Sequence, residues 1–142
     1  MIYVGIDTGV HTGFAIWDSK KRDFTEITSL QIHQAMMKVK VLFEEYGLQI
    51  KVRVEDPRQR TWFQSSKKTR EEERKMLQGI GSVKRDASIW EDFLKDLGVH
   101  YEMTHPKNSI TKMDAEEFRR VTGYPGKTNE HSRDAGFLVF GY

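Results

Sequence analysis

The sequence has 142 residues, of which 37% are hydrophobic and 31% charged, with a formal net charge of +2. These values suit a single domain over residues 1–142 and exclude a disordered chain and a membrane protein, because no apolar run approaches the ~18 residues of a membrane span. The absence of cysteine excludes disulfides and thiolate zinc sites, and with no signal-peptide pattern after Met1 we expect a cytoplasmic protein.

The first half of the sequence predicts an antiparallel meander, then a helix and a further strand. Alternating apolar residues predict strands over residues 2–7, 13–17 and 24–30, with the first strand central in the sheet. Apolar residues at helical spacing predict a helix over residues 32–46. Residues 50–54 alternate again and predict a fourth strand.

The second half of the sequence predicts mainly helices. The predicted elements are a long helix, a fifth strand and two short helices, over residues 71–97, 99–104, 114–122 and 130–140. Thr128 or Asn129 could cap the last helix. Because helices alternate with the later strands, we expect parallel pairing behind the meander. The predicted fold class is α/β, a mixed five-stranded sheet with helices on both faces.

The long helix carries a narrow apolar seam. From Met76 to Leu97 the apolar residues recur at steps of three and four, which predicts that this seam packs in the core. Gly79 and Gly81 weaken the helix locally and are expected to permit close packing there.

Four side chains that could bind metal are expected to meet at one edge of the sheet. Asp7 ends the first strand and Glu55 ends the fourth, so their carboxylates converge if these strands are neighbours. In the last helix, His131 and Asp134 lie three positions apart on one face. The small residues after Asp134 would let this helix sit close to the sheet.

Three clustered carboxylates repel one another unless cations bind. Oxygen ligands suit Mg²⁺ or Mn²⁺, and a pair of such ions serves phosphoryl transfer by activating water and stabilising the leaving oxygen. His131 could bind a metal or relay a proton. Each residue also has a structural interpretation: Asp7 as a turn residue, Glu55 as a solvated strand end, and His131 and Asp134 as polar residues near a helix N-terminus.

Residues 57–70 form a basic segment with two aromatic side chains. Its charged residues are all cationic: Arg58, Arg60, Lys67, Lys68 and Arg70. Trp62 and Phe63 lie in the middle. Cations that neutralise phosphates, interleaved with aromatic rings that stack on bases, are typical of DNA binding. The alternative is a solvated loop whose two aromatic rings are buried in the core.

Four motifs carry a resemblance to a known family. They are residues 5–9 (GIDTG), 12–16 (TGFAI), 54–55 (VE) and 131–135 (HSRDA). Together they resemble the RuvC family of Holliday junction resolvases, in the RNase H-like superfamily, and the predicted element order matches along nearly the whole chain. The short chain and the poor match over residues 107–127 indicate a phage-type or divergent member.

The resemblance implies an RNase H-like domain that acts as a metal-dependent endonuclease on four-way or other branched DNA. Carried over by position, the catalytic and metal-binding residues are Asp7, Glu55, His131 and Asp134. The resemblance also implies two Mg²⁺ or Mn²⁺ ions per site, no small-molecule cofactor, and a homodimer formed through the long helix. Family members have lysines near the site, for which Lys107 and Lys112 are the DNA-binding candidates here, and an aromatic residue at the junction, for which Phe63 or Trp62 is the candidate.

Two other functions are compatible with the sequence. The chain could be an RNase H-like nuclease acting on RNA, as in RuvC-related rRNA-processing proteins, although the C-terminal motif and the basic aromatic segment fit this less well. It could also be a non-catalytic junction-binding protein, against which the complete set of acidic residues argues.

Overall fold

The computed structural model describes residues 1–60, 69–106 and 112–142. Within these ranges the strands are β1 (Ile2–Asp7), β2 (His11–Asp18), β3 (Asp23–Gln31), β4 (Ile50–Glu55) and β5 (His100–Thr104). The helices are α1 (Ile32–Tyr46), α2 (Arg70–Leu97), α3 (Ala115–Thr122) and α4 (Glu130–Phe137). A short 3₁₀ turn, Pro57–Gln59, follows β4. No helix of the described part is both long and apolar enough to cross a membrane.

The strands form one mixed sheet in the order β3-β2-β1-β4-β5. β1 pairs antiparallel with β2, which pairs antiparallel with β3. On its other side β1 pairs parallel with β4, which pairs parallel with β5. The predicted fold class and the central position of the first strand are therefore confirmed.

Helices cover both faces of the sheet. On one face, Ile2, Val4 and Ile6 of β1 pack with residues of α1 and the C-terminal half of α2, including Trp90 and Leu94. On the other face, α3 and α4 pack on the meander, where Phe118 and Ala135 belong to a second core cluster. The alternation of β1 thus sends its apolar side chains to one face and leaves Gly5 and Asp7 on the other.

The helix ends follow local signals in the sequence. Gly98 ends α2 in the left-handed conformation with φ of 73°, which glycine adopts without steric cost. Asn129 caps α4, accepting a hydrogen bond from the Ser132 amide. α4 ends three residues before the predicted limit, because a turn stabilised by a hydrogen bond from Val139 N to Gly136 O begins there. This turn lets Phe140 pack against aromatic side chains of the meander.

Two expectations for α2 are wrong for its N-terminal half. Full burial in the seam is confined to Ala87, Trp90 and Leu94, and Leu97 is partly buried. Met76, Ile80 and Val83 are half-buried and line a cavity instead. A Cβ atom added at Gly79 would contact nothing within 4 Å, and the same holds at Gly81, so neither glycine serves close packing within the described chain.

Candidate active site

Asp7 and Glu55 lie side by side at the carboxyl ends of two parallel strands. The register pairs Ile6 of β1 with Val54 of β4, and each carboxylate follows at the next position on the same face of the sheet. The two carboxyl groups are in side-chain hydrogen-bond contact. The predicted convergence of these residues is therefore present in the structure.

Burial and the negative charge of a neighbouring carboxylate make both carboxyl groups hard to ionise. Burial, followed by the negative charge of Asp134, raises the pKa of Asp7 to about 7. Burial, followed by the charge of Asp7, raises the pKa of Glu55 to about 7. Near neutral pH the pair therefore retains a proton that can bridge the two groups. A bound divalent cation would favour the ionised form of both carboxyl groups, so the shared proton would be released.

The close docking of α4 on the sheet brings His131 to Asp7. A Cβ atom at Gly13 of β2 would lie 1.9 Å from the His131 carbonyl oxygen, and one at Gly5 would lie 2.1 Å from the Ala135 carbonyl oxygen. The helix backbone therefore occupies the space that side chains would fill at these positions. With the helix in this position, Nδ1 of His131 is 3.0 Å from Oδ2 of Asp7.

Asp134, one turn along α4, faces the same space and is paired with a lysine. Nζ of Lys112 lies 3.7 Å from Oδ2 of Asp134 and is also paired with Glu130. Lys112 was predicted to contact DNA, and the structure places it at the edge of the carboxylate cluster. Its positive charge also opposes the raised pKa of Asp7.

Arg58 is held between the end of β4 and α2. Its guanidinium donates hydrogen bonds to both carboxylate oxygens of Asp56, at 2.7 and 2.9 Å, and to Oε2 of Glu91 at 2.7 Å. Burial works against ionisation of Asp56, but the Arg58 hydrogen bonds outweigh it and keep the pKa of Asp56 below its ordinary value. This clamp of Arg58 by Asp56 and Glu91 fixes the turn that immediately follows Glu55. Any phosphate that binds Arg58 must compete with these two carboxylates.

The other predicted DNA-binding residues are placed only in part. Arg60 is exposed near Glu55, where its charge favours the ionised carboxylate, and Arg70 is exposed at the first position of α2. The remaining candidates lie outside the described residues: Trp62, Phe63, Lys67, Lys68 and Lys107.

A cavity of about 630 Å³ opens beside the carboxylates. Its lining includes acidic, basic and apolar side chains from β1, β4, α2 and α4. The acidic residues are Asp7, Glu55 and Asp134, the basic residues Arg60, Lys112, His131 and Arg133, and the apolar residues Met76, Ile80, Val83, Met113, Phe137 and Leu138. The volume lies within the range typical of ligand sites, roughly 300–1,000 Å³, and exceeds what a bound ion requires.

The donor set fits a hard divalent cation, although the side chains are not arranged as a complete metal site. Among residues 1–60, 69–106 and 112–142, no three His, Asp or Glu side chains are positioned to hold one ion as they stand. Asp7 and Glu55 are in contact, and both carry carboxylate oxygens, the ligands that Mg²⁺ and Mn²⁺ prefer. Asp134 lines the same cavity and its charge acts on both carboxyl groups, and its lysine partner is a surface side chain.

Sequence reasoning missed three residues of the site. Thr8 is buried, and its hydroxyl donates to the Glu55 carbonyl oxygen at 3.4 Å. Gly13 is the position against which the backbone of His131 packs. Arg133 donates from Nε to the Met113 carbonyl oxygen at 3.0 Å and ties α4 to the chain before α3. All three lie within the motifs quoted above, so proximity to Asp7 and Asp134 was the available signal.

No family model matches the sequence, and no curated protein is significantly similar to it. Among solved structures, the fold is similar to that of T. thermophilus RuvC in complex with a Holliday junction substrate, with a TM-score of 0.59. The similarity covers 99% of this chain and 91% of that chain, at 15% sequence identity. At this identity the similarity establishes the fold alone, a mixed five-stranded sheet with helices on both faces.

Proposed function

We propose that this protein is a divergent RuvC-type nuclease that cuts four-way or other branched DNA with the help of divalent metal ions. The observation that carries the proposal is the contact between Asp7 and Glu55 at the carboxyl ends of adjacent parallel strands, with His131 and Asp134 presented to them by α4. The similarity to a RuvC structure determined with a Holliday junction supports this choice of reaction and substrate.

The metal ions would be held by Asp7 and Glu55, with Asp134 and His131 as the nearest additional ligands. When bound, Mg²⁺ or Mn²⁺ supplies Lewis-acid chemistry: activation of water and stabilisation of the charge that develops on phosphate oxygens. We propose two ions per site, as for other enzymes of phosphodiester hydrolysis.

The protein's own residues orient this chemistry. Asp7 and Glu55 are fixed by paired strands, so their carboxylates are held without the entropy cost of ordering a loop. His131 accepts or donates a proton at Nδ1, which faces Asp7. Arg60 and Lys112 carry positive charge at the cavity and attract the phosphate backbone.

The basic aromatic segment would grip the DNA outside the site. Arg70 is exposed and available to phosphates, as proposed for Lys67 and Lys68 from the sequence. Lys107, outside this segment, is proposed to contact DNA as well. Trp62 and Phe63 would stack on bases exposed at the branch point.

Cleavage of labelled four-way junction, duplex and RNA substrates, each with and without Mg²⁺, tests the function. We expect cleavage of the junction only with metal present, and little cleavage of duplex or RNA. Asp7→Asn should abolish cutting while retaining junction binding, because it removes a metal ligand without changing the basic surface. Asp96→Asn, which changes an exposed carboxylate at the far end of α2, is the matched control. RNA cleavage by the wild type would favour the RNA-processing alternative, and binding without any cleavage would favour the non-catalytic one.

We further propose a homodimer formed through α2, since a two-fold enzyme suits paired cuts in a junction with two-fold symmetry. Leu77 and Ile89 of α2 are 59% and 46% exposed. Leu77→Glu with Ile89→Glu should convert a dimer into a monomer in light scattering. Val41→Glu is the control, since Val41 is 55% exposed on α1. Only monomer at micromolar concentration for the wild type, with and without junction, would contradict the dimer.

A further inference from the structure

The cavity beside the carboxylates has an apolar half that metal binding and hydrolysis do not use. Met76, Ile80 and Val83 of α2 form one wall, at helical positions that share a face. Phe137 at the end of α4 and Leu138, the next residue, also belong to the lining. None of these side chains can hold an ion or contact a phosphate favourably. A ligand of the apolar half must therefore offer apolar surface.

We propose that this half of the cavity binds one unstacked nucleobase of the strand being cut, next to the scissile phosphate. The proposal rests on the nuclease function proposed above and assigns a base-binding pocket to the same site. A nucleobase is flat and largely apolar on its faces, and it is attached to the phosphate that the carboxylates must reach. Continuity of the cavity from Asp7 and Glu55 to Ile80 supplies that connection.

The chemistry of the walls suits a base. Phe137 in the lining is aromatic, with its ring packed edge-to-face against Phe118, and unpaired bases gain stacking energy on aromatic rings. Met76 and Met113 add flexible, polarisable side chains, which adapt to flat ligands of different shape. The pocket would therefore accept a base without requiring a particular one.

The charges around the cavity suit the backbone attached to the base. Arg133 donates hydrogen bonds to the carbonyl oxygens of Met113 and Thr128, which are neutral acceptors, so it retains its positive charge at the cavity. Arg60 is exposed and also lines the cavity. A strand that enters between these cations would pass its phosphate to the carboxylates and its base to the apolar wall.

Branched DNA supplies such a base at low cost. Extruding a base from an intact duplex costs a few kcal/mol in unstacking and unpairing, and the cost is least where pairing is already interrupted. A junction interrupts stacking at its branch point. The pocket would therefore favour cutting next to a branch over cutting within a duplex.

Gly79 allows a direct test, because it lines the cavity and a Cβ atom there would meet no other described residue within 4 Å. Gly79→Leu should fill the pocket without harming the fold, since leucine forms helices better than glycine. Gly79→Ala is the smaller step on the same wall. Gln78→Leu is the matched control, because it places a leucine at an exposed neighbouring position that does not line the cavity.

The substrates are intact junctions and junctions with a single abasic residue on either side of the scissile phosphate. We expect the wild type to cut one of the abasic junctions about tenfold to a hundredfold more slowly, the effect of losing one stacked base. Gly79→Leu should slow cleavage of the intact junction by a similar factor. It should slow cleavage of the sensitive abasic junction little further, because the substitution and the missing base remove the same contact. Gln78→Leu should behave as wild type, and Gly79→Ala should fall between.

A binding measurement gives a second readout that needs no cleavage. With 2-aminopurine at the sensitive position and metal omitted, wild type should increase the fluorescence on binding, as unstacking does, and Gly79→Leu should not. If the wild type cuts no substrate, the proposed nuclease function fails, whereas the fluorescence result still decides the base pocket. The proposed base pocket would be overturned if Gly79→Leu cleaved the intact junction at the wild-type rate and no abasic residue slowed cleavage by the wild type. A change of oligomeric state in Gly79→Leu without base dependence would also overturn it, and would make the wall a contact with a second copy.

Discussion

The Nδ1 atom of His131 lies 3.0 Å from Oδ2 of Asp7, although the two residues are 124 positions apart in the sequence. The contact depends on how closely α4 approaches the sheet. Gly13 and Gly5 lie under the first and second turns of the helix, with no room for a Cβ atom at either position. The geometry of the site is therefore set by glycines that take no part in its chemistry.

We expect Gly13→Ala to displace α4 and to separate His131 from Asp7. The added Cβ would lie 1.9 Å from the His131 carbonyl oxygen, a backbone atom that can move only with its helix. Overpacking of this kind costs about 1–3 kcal/mol or more, which urea denaturation would measure. Gly81→Ala is the control: its Cβ would meet nothing within 4 Å in the described part of the chain, and alanine should stabilise the helix by roughly 0.8–1 kcal/mol. Equal stability of Gly13→Ala and wild type would contradict the docking.

The metal-free protein should lose stability as the pH rises from about 4 to about 7. In the unfolded chain Asp7 and Glu55 titrate near pH 4. In the folded protein, burial and the charge of a neighbouring carboxylate, Asp134 for Asp7 and Asp7 for Glu55, raise both pKa values to about 7. The folded state therefore binds more protons across this window, and its advantage is lost as pH increases.

Asp7→Asn removes one of these groups and should flatten the dependence. Denaturation in EDTA at pH 5 and pH 8 should show the mutant gaining stability relative to wild type at pH 8. Mg²⁺ at pH 8 should then raise the wild-type melting temperature more than that of the mutant, since a ligand stabilises only the state that binds it. An unchanged difference between the two proteins at both pH values would be evidence against the electrostatic account.

The strands, their order in the chain and most helix ends could be predicted because they follow local signals. Alternation identifies β1 and β4, and Gly98 marks the end of α2. The convergence of Asp7 and Glu55 was also predictable, because it needs only that two parallel strands be neighbours. Each of these features is encoded within a few residues or in one topological rule.

The burial along α2 and the ion pairs of Arg58 could not be predicted, because they depend on distances between elements. The seam of α2 is uniform in the sequence, yet Trp90 is fully buried while Ile80 lines a cavity. Periodicity reports which residues share a face and does not report how far away the opposite surface lies. The commitment of Arg58 to Asp56 and Glu91 was hidden for the same reason: a basic residue in a basic segment gives no sign of its acidic partners.

Arg58→Ala should destabilise the fold and also weaken catalysis through Glu55. Asp56 is 3% exposed, so loss of Arg58 leaves a buried carboxylate without its main partner. Removing one partner of a fully buried pair costs about 3–5 kcal/mol, and we expect about 2–3 kcal/mol here because solvent reaches the Arg58 side chain, which is 30% exposed.

Two measurements distinguish this clamp from a role in DNA binding. The pairing lowers the pKa of Asp56, so its contribution exists above the unfolded pKa of about 4 and is lost as the pH falls below it. The stability gap between Arg58→Ala and wild type should therefore narrow toward pH 3. Arg70→Ala, at an exposed position, should leave stability unchanged and weaken DNA binding. A stable Arg58→Ala protein with reduced DNA affinity alone would show that Arg58 serves the DNA.

The aromatic and basic residues between β4 and α2 are assigned to DNA binding by the sequence. A branch point exposes base faces that a duplex hides, so an aromatic ring there gains stacking only on branched DNA. One stacked base contributes about 1–3 kcal/mol, roughly a tenfold to hundredfold change in affinity. Phe63→Ala or Trp62→Ala should therefore weaken junction binding far more than duplex binding.

The cations of the same segment should act on every DNA form alike. Lys67→Ala with Lys68→Ala should lower the affinity for junction and duplex together and reduce the dependence of binding on salt, because each phosphate contact releases counterions. Thermal unfolding is the control for the aromatic variants, since a ring buried in the core would cost several kcal/mol of stability when removed, about 3–5 kcal/mol for Phe or Trp. A stably folded Trp62→Ala/Phe63→Ala protein that binds and cuts junctions normally would remove the aromatic pair from the mechanism and leave recognition of the branch to the cavity and the phosphate contacts.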